Sequence, residues 1–180
     1  DAIRSNSIDE YDAYINYYGE APQIYIDKAF VKRNIVAFDQ AKSKNKVEAY
    51  QYFIDTYPDA VQYDKAIELR NQVAFSNAKE ENTIEGYESF INNYPDADQV
   101  DEANNQNHNI AFKNASKFNT VEAYQYFINT YPRANQKAKA ILRRDELAYA
   151  AALEIDNSAS YKLFCDNYPS SIQYSDAFRN

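Results

Sequence analysis

The sequence has no methionine and no tryptophan, and only one cysteine, one histidine and two glycines in 180 residues. With Cys165 alone, no internal disulfide can form. Gly19 and Gly86 cannot build a glycine-rich phosphate loop. His108 stands by itself, whereas a catalytic or metal role needs converging partners that the sequence does not indicate. Positive charge is also scarce: 19 Lys and Arg against 27 Asp and Glu leave a net charge of −8 and no basic stripe. Nucleic acid is therefore not expected as a partner, because phosphate neutralisation needs clustered cations. No run approaches the roughly 18 apolar residues that a membrane span requires. The first residue is Asp1 rather than Met, which fits a start removed by signal processing or by excision from a longer protein.

Aromatic residues are what the chain has instead. Eighteen tyrosines and ten phenylalanines make up 16% of it, far too many for a disordered acidic chain. Much of the apolar area sits in tyrosine rings, so a low mean hydropathy understates the capacity to form a core. These rings are periodic. Val-Glu-Ala-Tyr-Gln-Tyr-Phe-Ile-Asp-Thr-Tyr-Pro at 47–58 returns at 121–132 with Asn129 in place of Asp55, and looser copies sit at 8–19, 84–95 and 158–169. The closing tyrosines Tyr18, Tyr57, Tyr94, Tyr131 and Tyr168 are spaced by 39, 37, 37 and 37 residues. A fixed period of this length marks a repeat array in which each unit buries its apolar face against its neighbours.

Within a copy, Val47, Tyr50, Phe53, Ile54 and Tyr57 fall on one stripe of a 3.6-residue period, so a helix is expected and a strand is not. Asn45, Asn82 and Asn119 each precede a glutamate by three residues, as Asn6 precedes Asp9, which reads as a capped helix start; the fifth copy keeps Asp156. Pro58, Pro95, Pro132 and Pro169 end the helix, with Gly19 at that place in the first copy. A second helix follows. Ala29, Ala66, Ala103, Ala140 and Ala177 share one place in it, Ala37, Ala74, Ala111 and Ala148 another, and Ala2, Ala41, Ala78, Ala115 and Ala152 a third. Small residues at fixed places let helices approach closely, and the aromatics Phe38, Phe75, Phe112 and Tyr149 fill the remaining gaps. The expected fold is all-α: a right-handed solenoid of antiparallel helix pairs with about nine helices and no sheet, forming one array over 1–180 with partial repeats at both ends, as in an excised part of a longer array or an array whose terminal helices are abbreviated.

The Tyr-x-x-Phe-Ile-x-x-Tyr-Pro core resembles tetratricopeptide-type repeats, most of all those of bacterial envelope proteins such as the outer-membrane-assembly lipoprotein and the Tol–Pal coordinator. In that phasing Val73–Ala74 matches the family's Leu–Gly, Tyr50 and Phe53 match its second-helix places for Phe and Ala, and Pro58 matches its closing Pro. Full units would run approximately 23–58, 62–95, 99–132 and 136–169, with Arg33, Arg70, Asn107 and Arg144 at the place of the family's Trp. The resemblance implies a binding scaffold without catalytic groups or cofactors, a protein or peptide partner, and a periplasmic or outer-membrane-associated location. An alternative is a carbohydrate- or peptidoglycan-binding module that uses exposed tyrosine faces and Asn or Gln side chains.

Candidate binding residues come from columns of the repeat. Asn34, Asn71, His108 and Asp145 share one position, and Arg33, Arg70 and Arg144 run beside it. Side-chain amides pair with an extended peptide backbone and guanidinium forks suit carboxylates, so this ladder is one candidate groove, facing the concave side by resemblance. The structural reading of the same arginines is stem packing on tyrosine rings, with the guanidinium paired to a capping Glu or Asp. Tyr52 and Tyr126 lie off the apolar stripe at matching places and are candidate exposed anchors. Cys165 replaces Ile15, Ile54, Ile91 and Ile128 and is expected in the core. Asp96, Asp98, Asp101 and Glu102 lack the glycine of a calcium loop and read as a solvated acidic link. No metal site is expected.

Overall fold

The computed structural model describes residues 6–17 and 21–179; Ala2, Tyr18 and Gly19, which the repeat pattern singled out, lie outside them. The described residues hold ten helices and no strand: α1 (Ile8–Tyr17), α2 (Gln23–Lys44), α3 (Val47–Thr56), α4 (Tyr63–Glu81), α5 (Ile84–Asn93), α6 (Val100–Phe118), α7 (Val121–Thr130), α8 (Lys137–Ile155), α9 (Ser158–Asn167) and α10 (Tyr174–Arg179). The tenth, expected only as a partial repeat, is six residues long. Short helices of ten residues alternate with long ones of 19 to 22 up to α9. The chain divides into two compact units, Asp1–Asn82 with Ser89–Val100, and Thr83–Glu88 with Asp101–Asn180. In the first, α2 packs on α1 and α3, and α3 on α4; in the second, α8 packs on α7 and α9, and α9 on α10.

The core of each repeat is a chain of three rings. Phe38, Phe53 and Tyr57 stack with successive centroids 5.3 Å apart. The three-ring chain recurs as Phe75–Phe90–Tyr94, Phe112–Phe127–Tyr131 and Tyr149–Phe164–Tyr168, at 5.3 to 5.6 Å, tilted throughout except for the edge-on pair Phe112–Phe127. These are separations at which aromatic quadrupoles attract. The first alanine column, Ala29, Ala66, Ala103, Ala140 and Ala177, is the most deeply buried, at 0 to 3% exposure. A larger side chain there would hold the short helix away from the long one. Cys165 is buried with the isoleucines Ile54 and Ile128 of its column. A further buried column, Ala60, Ala97, Ala134 and Ser171, was not singled out by the periodicity, because it sits in the links after the prolines.

The asparagine caps need correction. Asn6, Asn45, Asn82, Asn119 and Asp156 have φ of 45° to 51°. Asn45, Asn82 and Asp156 close the preceding long helix in the left-handed region rather than opening the next one. Asn and Asp reach that region more cheaply than other residues with a Cβ, so they make a tight link without glycine. The N–H of Asn45, Asn82, Asn119 and Asp156 donates to Ala41, Ala78, Ala115 and Ala152, the last alanine column. Their side chains also work forwards: the hydroxyls of Tyr11, Tyr50, Tyr124 and Tyr161 donate to Oδ1 of Asn6, Asn45, Asn119 and Asp156. For Tyr50, Tyr124 and Tyr161 this bond ties the buried tyrosine of a short helix to the end of the long helix before it.

The true N-caps lie one residue later, at Ser7, Lys46, Thr83, Thr120 and Asn157. Side-chain oxygens of four of these accept from a first-turn amide: Ser7 from Glu10, Thr83 from Gly86, Thr120 from Ala123 and Asn157 from Ser160. Lys46 makes no such bond. Lys46→Thr should therefore raise the stability by about 1 kcal/mol, read as a higher urea midpoint at unchanged slope, and an unchanged or lower midpoint would contradict the cap assignment.

Candidate functional site

Three arginines occupy one position on three of the four complete long helices, α2, α4 and α8, and each forms the same clasp. Nε and a terminal nitrogen of Arg33 both donate to Oδ1 of Asn34, as Arg70 does to Asn71 and Arg144 to Asp145, at 2.6 to 3.2 Å. The other terminal nitrogen reaches the neighbouring short helix, where it meets Asp12, Gln51 or Gln125 at 2.7 to 2.9 Å. Each guanidinium also lies 4.9 to 5.0 Å from a closing tyrosine ring: Arg33 over Tyr57, Arg70 over Tyr94 and Arg144 over Tyr168. The plane of the guanidinium suits both the fork and the ring, which lysine could not do together. The arginines are thus paired with the residue that follows them and with the short helix, and not with a capping acid.

This consumes much of the expected ladder. Asn71 and Asp145 are buried, and the Oδ1 of each is engaged with its own arginine. Asn34 is half-buried beside an apolar groove that Phe30, Val31 and Val61 also line. His108 is half-buried on the corresponding groove of the second unit, where Asn104, Asn105 and Asn135 replace those apolar residues. Its imidazole packs edge-on against Tyr131, 5.3 Å between centroids. Burial lowers its pKa below the usual 6.5.

Tyr52 and Tyr126 are 66% and 69% exposed, each on the wall of a groove over the alanine stripe of a long helix. Ala37, Ala41, Phe53 and Tyr57 form the floor of the groove beside Tyr52, which encloses about 260 Å³. Ala111, Ala115, Phe127 and Tyr131 form the floor beside Tyr126, where about 480 Å³ is enclosed and Glu85 and Glu88 join the wall. Burial, followed by electrostatic repulsion from Glu88, Tyr126 and Glu85, raises the pKa of Tyr131. Sequence reasoning missed the part that Asn107 plays. It interrupts the arginine column and is 4% exposed, and its Oδ1 has no hydrogen-bond partner in the protein. The signal was present as the one break in an otherwise repeated residue type.

Among the described residues, no group of three or more His, Cys, Asp or Glu is placed to hold a metal ion, and no helix is long and apolar enough to cross a membrane. No family model and no curated protein matches the chain.

Two outcomes follow from this geometry. Asn71→Ala should cost about 1–3 kcal/mol of stability, because it leaves two N–H groups of the part-buried Arg70 without their acceptor; a loss below a few tenths in a urea titration would show that the clasp contributes little. For His108, the unfolded chain protonates before the folded one, since its pKa is lowered in the fold. Its contribution is complete well above 6.5 and is lost as pH falls through 6.5 towards the folded value. The unfolding midpoint should therefore drop between about pH 8 and about pH 5 by more than it does in His108→Asn, and identical pH profiles would contradict this.

Proposed function

We propose that this chain is a non-enzymatic scaffold that binds a protein segment or peptide, and that it works in a bacterial cell envelope. The observation that carries the reading is the pair of equivalent grooves, each with a wide-open tyrosine over an alanine-floored channel. Tyrosine offers a large, rigid contact area with few torsions to fix, and single exposed rings of this kind are common anchors at protein interfaces. Tyr52 and Tyr126 leave about two thirds of their surface exposed, whereas the arginines and most of their partners are spent inside the fold. The envelope location rests on the resemblance of the repeat core to envelope tetratricopeptide-type proteins.

The grooves are lined mainly by apolar side chains, which favours an extended peptide over a glycan, whose hydroxyl groups need more polar partners. A peptide array and a panel of soluble peptidoglycan fragments separate the two. Saturable binding to a subset of peptides is expected, weakened at least about tenfold, or about 1.4 kcal/mol, in Tyr52→Ala/Tyr126→Ala with an unchanged thermal melt. Binding of glycans alone, or peptide binding indifferent to both substitutions, would overturn the proposal.

A further inference from the structure

The second unit holds a guanidinium clasp without its guanidinium. Asn107 stands where the other repeats have Arg33, Arg70 and Arg144, and its side chain is too short to reach the neighbouring short helix. The other parts of the clasp remain. Tyr131 stands at the place of Tyr57, Tyr94 and Tyr168, whose rings carry the internal guanidinium groups. Glu88 stands at the place of Asp12, Gln51 and Gln125, which accept from the arginine's far nitrogen. A full carboxylate occurs here where two of the three working clasps use an amide.

Three observations bear on this place. The Oδ1 of Asn107 is buried and has no partner in the protein. Among the described residues, no Lys, Arg or His pairs with Glu85 or Glu88. The cavity of about 480 Å³ reaches Glu85, Glu88 and Tyr131, while the equivalent one of about 260 Å³ in the first unit stops short of Asp12, which is tied to Arg33. Burial raises the pKa of both tyrosines; at Tyr57, where Tyr52 and Asp12 also raise it, Arg33 offsets part of the rise, whereas at Tyr131 Glu88, Tyr126 and Glu85 all act upwards and no cation opposes them.

We propose that this slot takes a guanidinium from outside, the side chain of an arginine in a partner protein segment. The guanidinium lies on the ring of Tyr131 and donates to the carboxylate of Glu88, and Asn107 Oδ1 accepts a further N–H. Lysine is a poorer occupant, because its ammonium is a point donor that cannot stack on the ring and fork to two acceptors at once. The inference rests on the protein-binding reading above and narrows it to a partner with an arginine at the contact.

The test uses the 180-residue chain, isotope-labelled, titrated with acetyl-Gly-Arg-Gly-amide and followed by the ring resonances of Tyr131 and His108. Saturable shifts of these signals are expected, while the ring of Tyr57, whose slot is filled, stays still. Acetyl-Gly-citrulline-Gly-amide keeps the shape of the probe and loses the charge, and should bind at least about tenfold more weakly. Asn107→Arg rebuilds the internal clasp and should abolish the shifts. Glu88→Lys, at an exposed position, replaces the acceptor by a like charge and should weaken binding at least about tenfold without altering the melt. Equal binding of the two peptides, or undiminished binding in both variants, overturns the slot. If the titration is flat while the peptide array still yields Tyr126-dependent binders, the slot is wrong and the scaffold reading stands. If both fail, the scaffold reading goes with it.

Discussion

The fold depends on how closely a short aromatic helix can approach a long helix lined with alanine. The three-ring stack sets that distance. Phe53 is 1% exposed and touches a ring on either side, one from the long helix before it and one from its own helix end. Phe90, Phe127 and Phe164 hold the same place and are 3%, 1% and 3% exposed. Each ring needs the alanine columns opposite it, because a branched side chain there would separate the layers by more than the ring can bridge. The lack of methionine and tryptophan fits this design. Neither a flexible gap-filler nor a larger ring is needed where one ring size recurs in one slot.

Much of this was legible in the sequence, and the reason is the repeat. One copy of Tyr-x-x-Phe-Ile would be an unremarkable amphipathic stretch, but five copies at near-constant spacing identify the buried face by what stays the same. Tyr50, Phe53 and the alanine columns were readable for that reason, and so was Cys165, through the isoleucines at its place. The asparagines were misread because Asn is favoured both before and after a helix. Asn45 and Glu48 have the spacing of a capping box, yet the link between α2 and α3 is only two residues long, and the left-handed turn needs the first of them. Spacing along the chain could not separate these uses; backbone dihedral angles do.

The candidate site was legible as columns and illegible as contacts. The sequence placed Arg70 beside Asn71 and left open whether the two face a ligand or each other. Adjacent helical residues do not normally meet, but a long guanidinium side chain can fold back over its neighbour, and here it does so three times. Repetition of one contact is a sign of construction, since function seldom requires the same group in several units of an array. Departures from the repeat are then the informative positions. Asn107 and His108 break the two columns side by side, and the cavity beside Tyr131 is roomier and more acidic than its counterpart. The array thus combines one structural rule with a local exception, and the exception is where recognition chemistry is available.

The central claim is that the buried rings carry the stability while the adjacent exposed rings are left free for contact. Phe53 and Tyr52 are neighbours in the chain, 1% and 66% exposed. Comparison of Phe53→Ala with Tyr52→Ala by urea unfolding tests the claim most directly. The account predicts a loss of about 3–5 kcal/mol for Phe53→Ala and less than about 0.5 kcal/mol for Tyr52→Ala. Comparable losses at the two positions would contradict it.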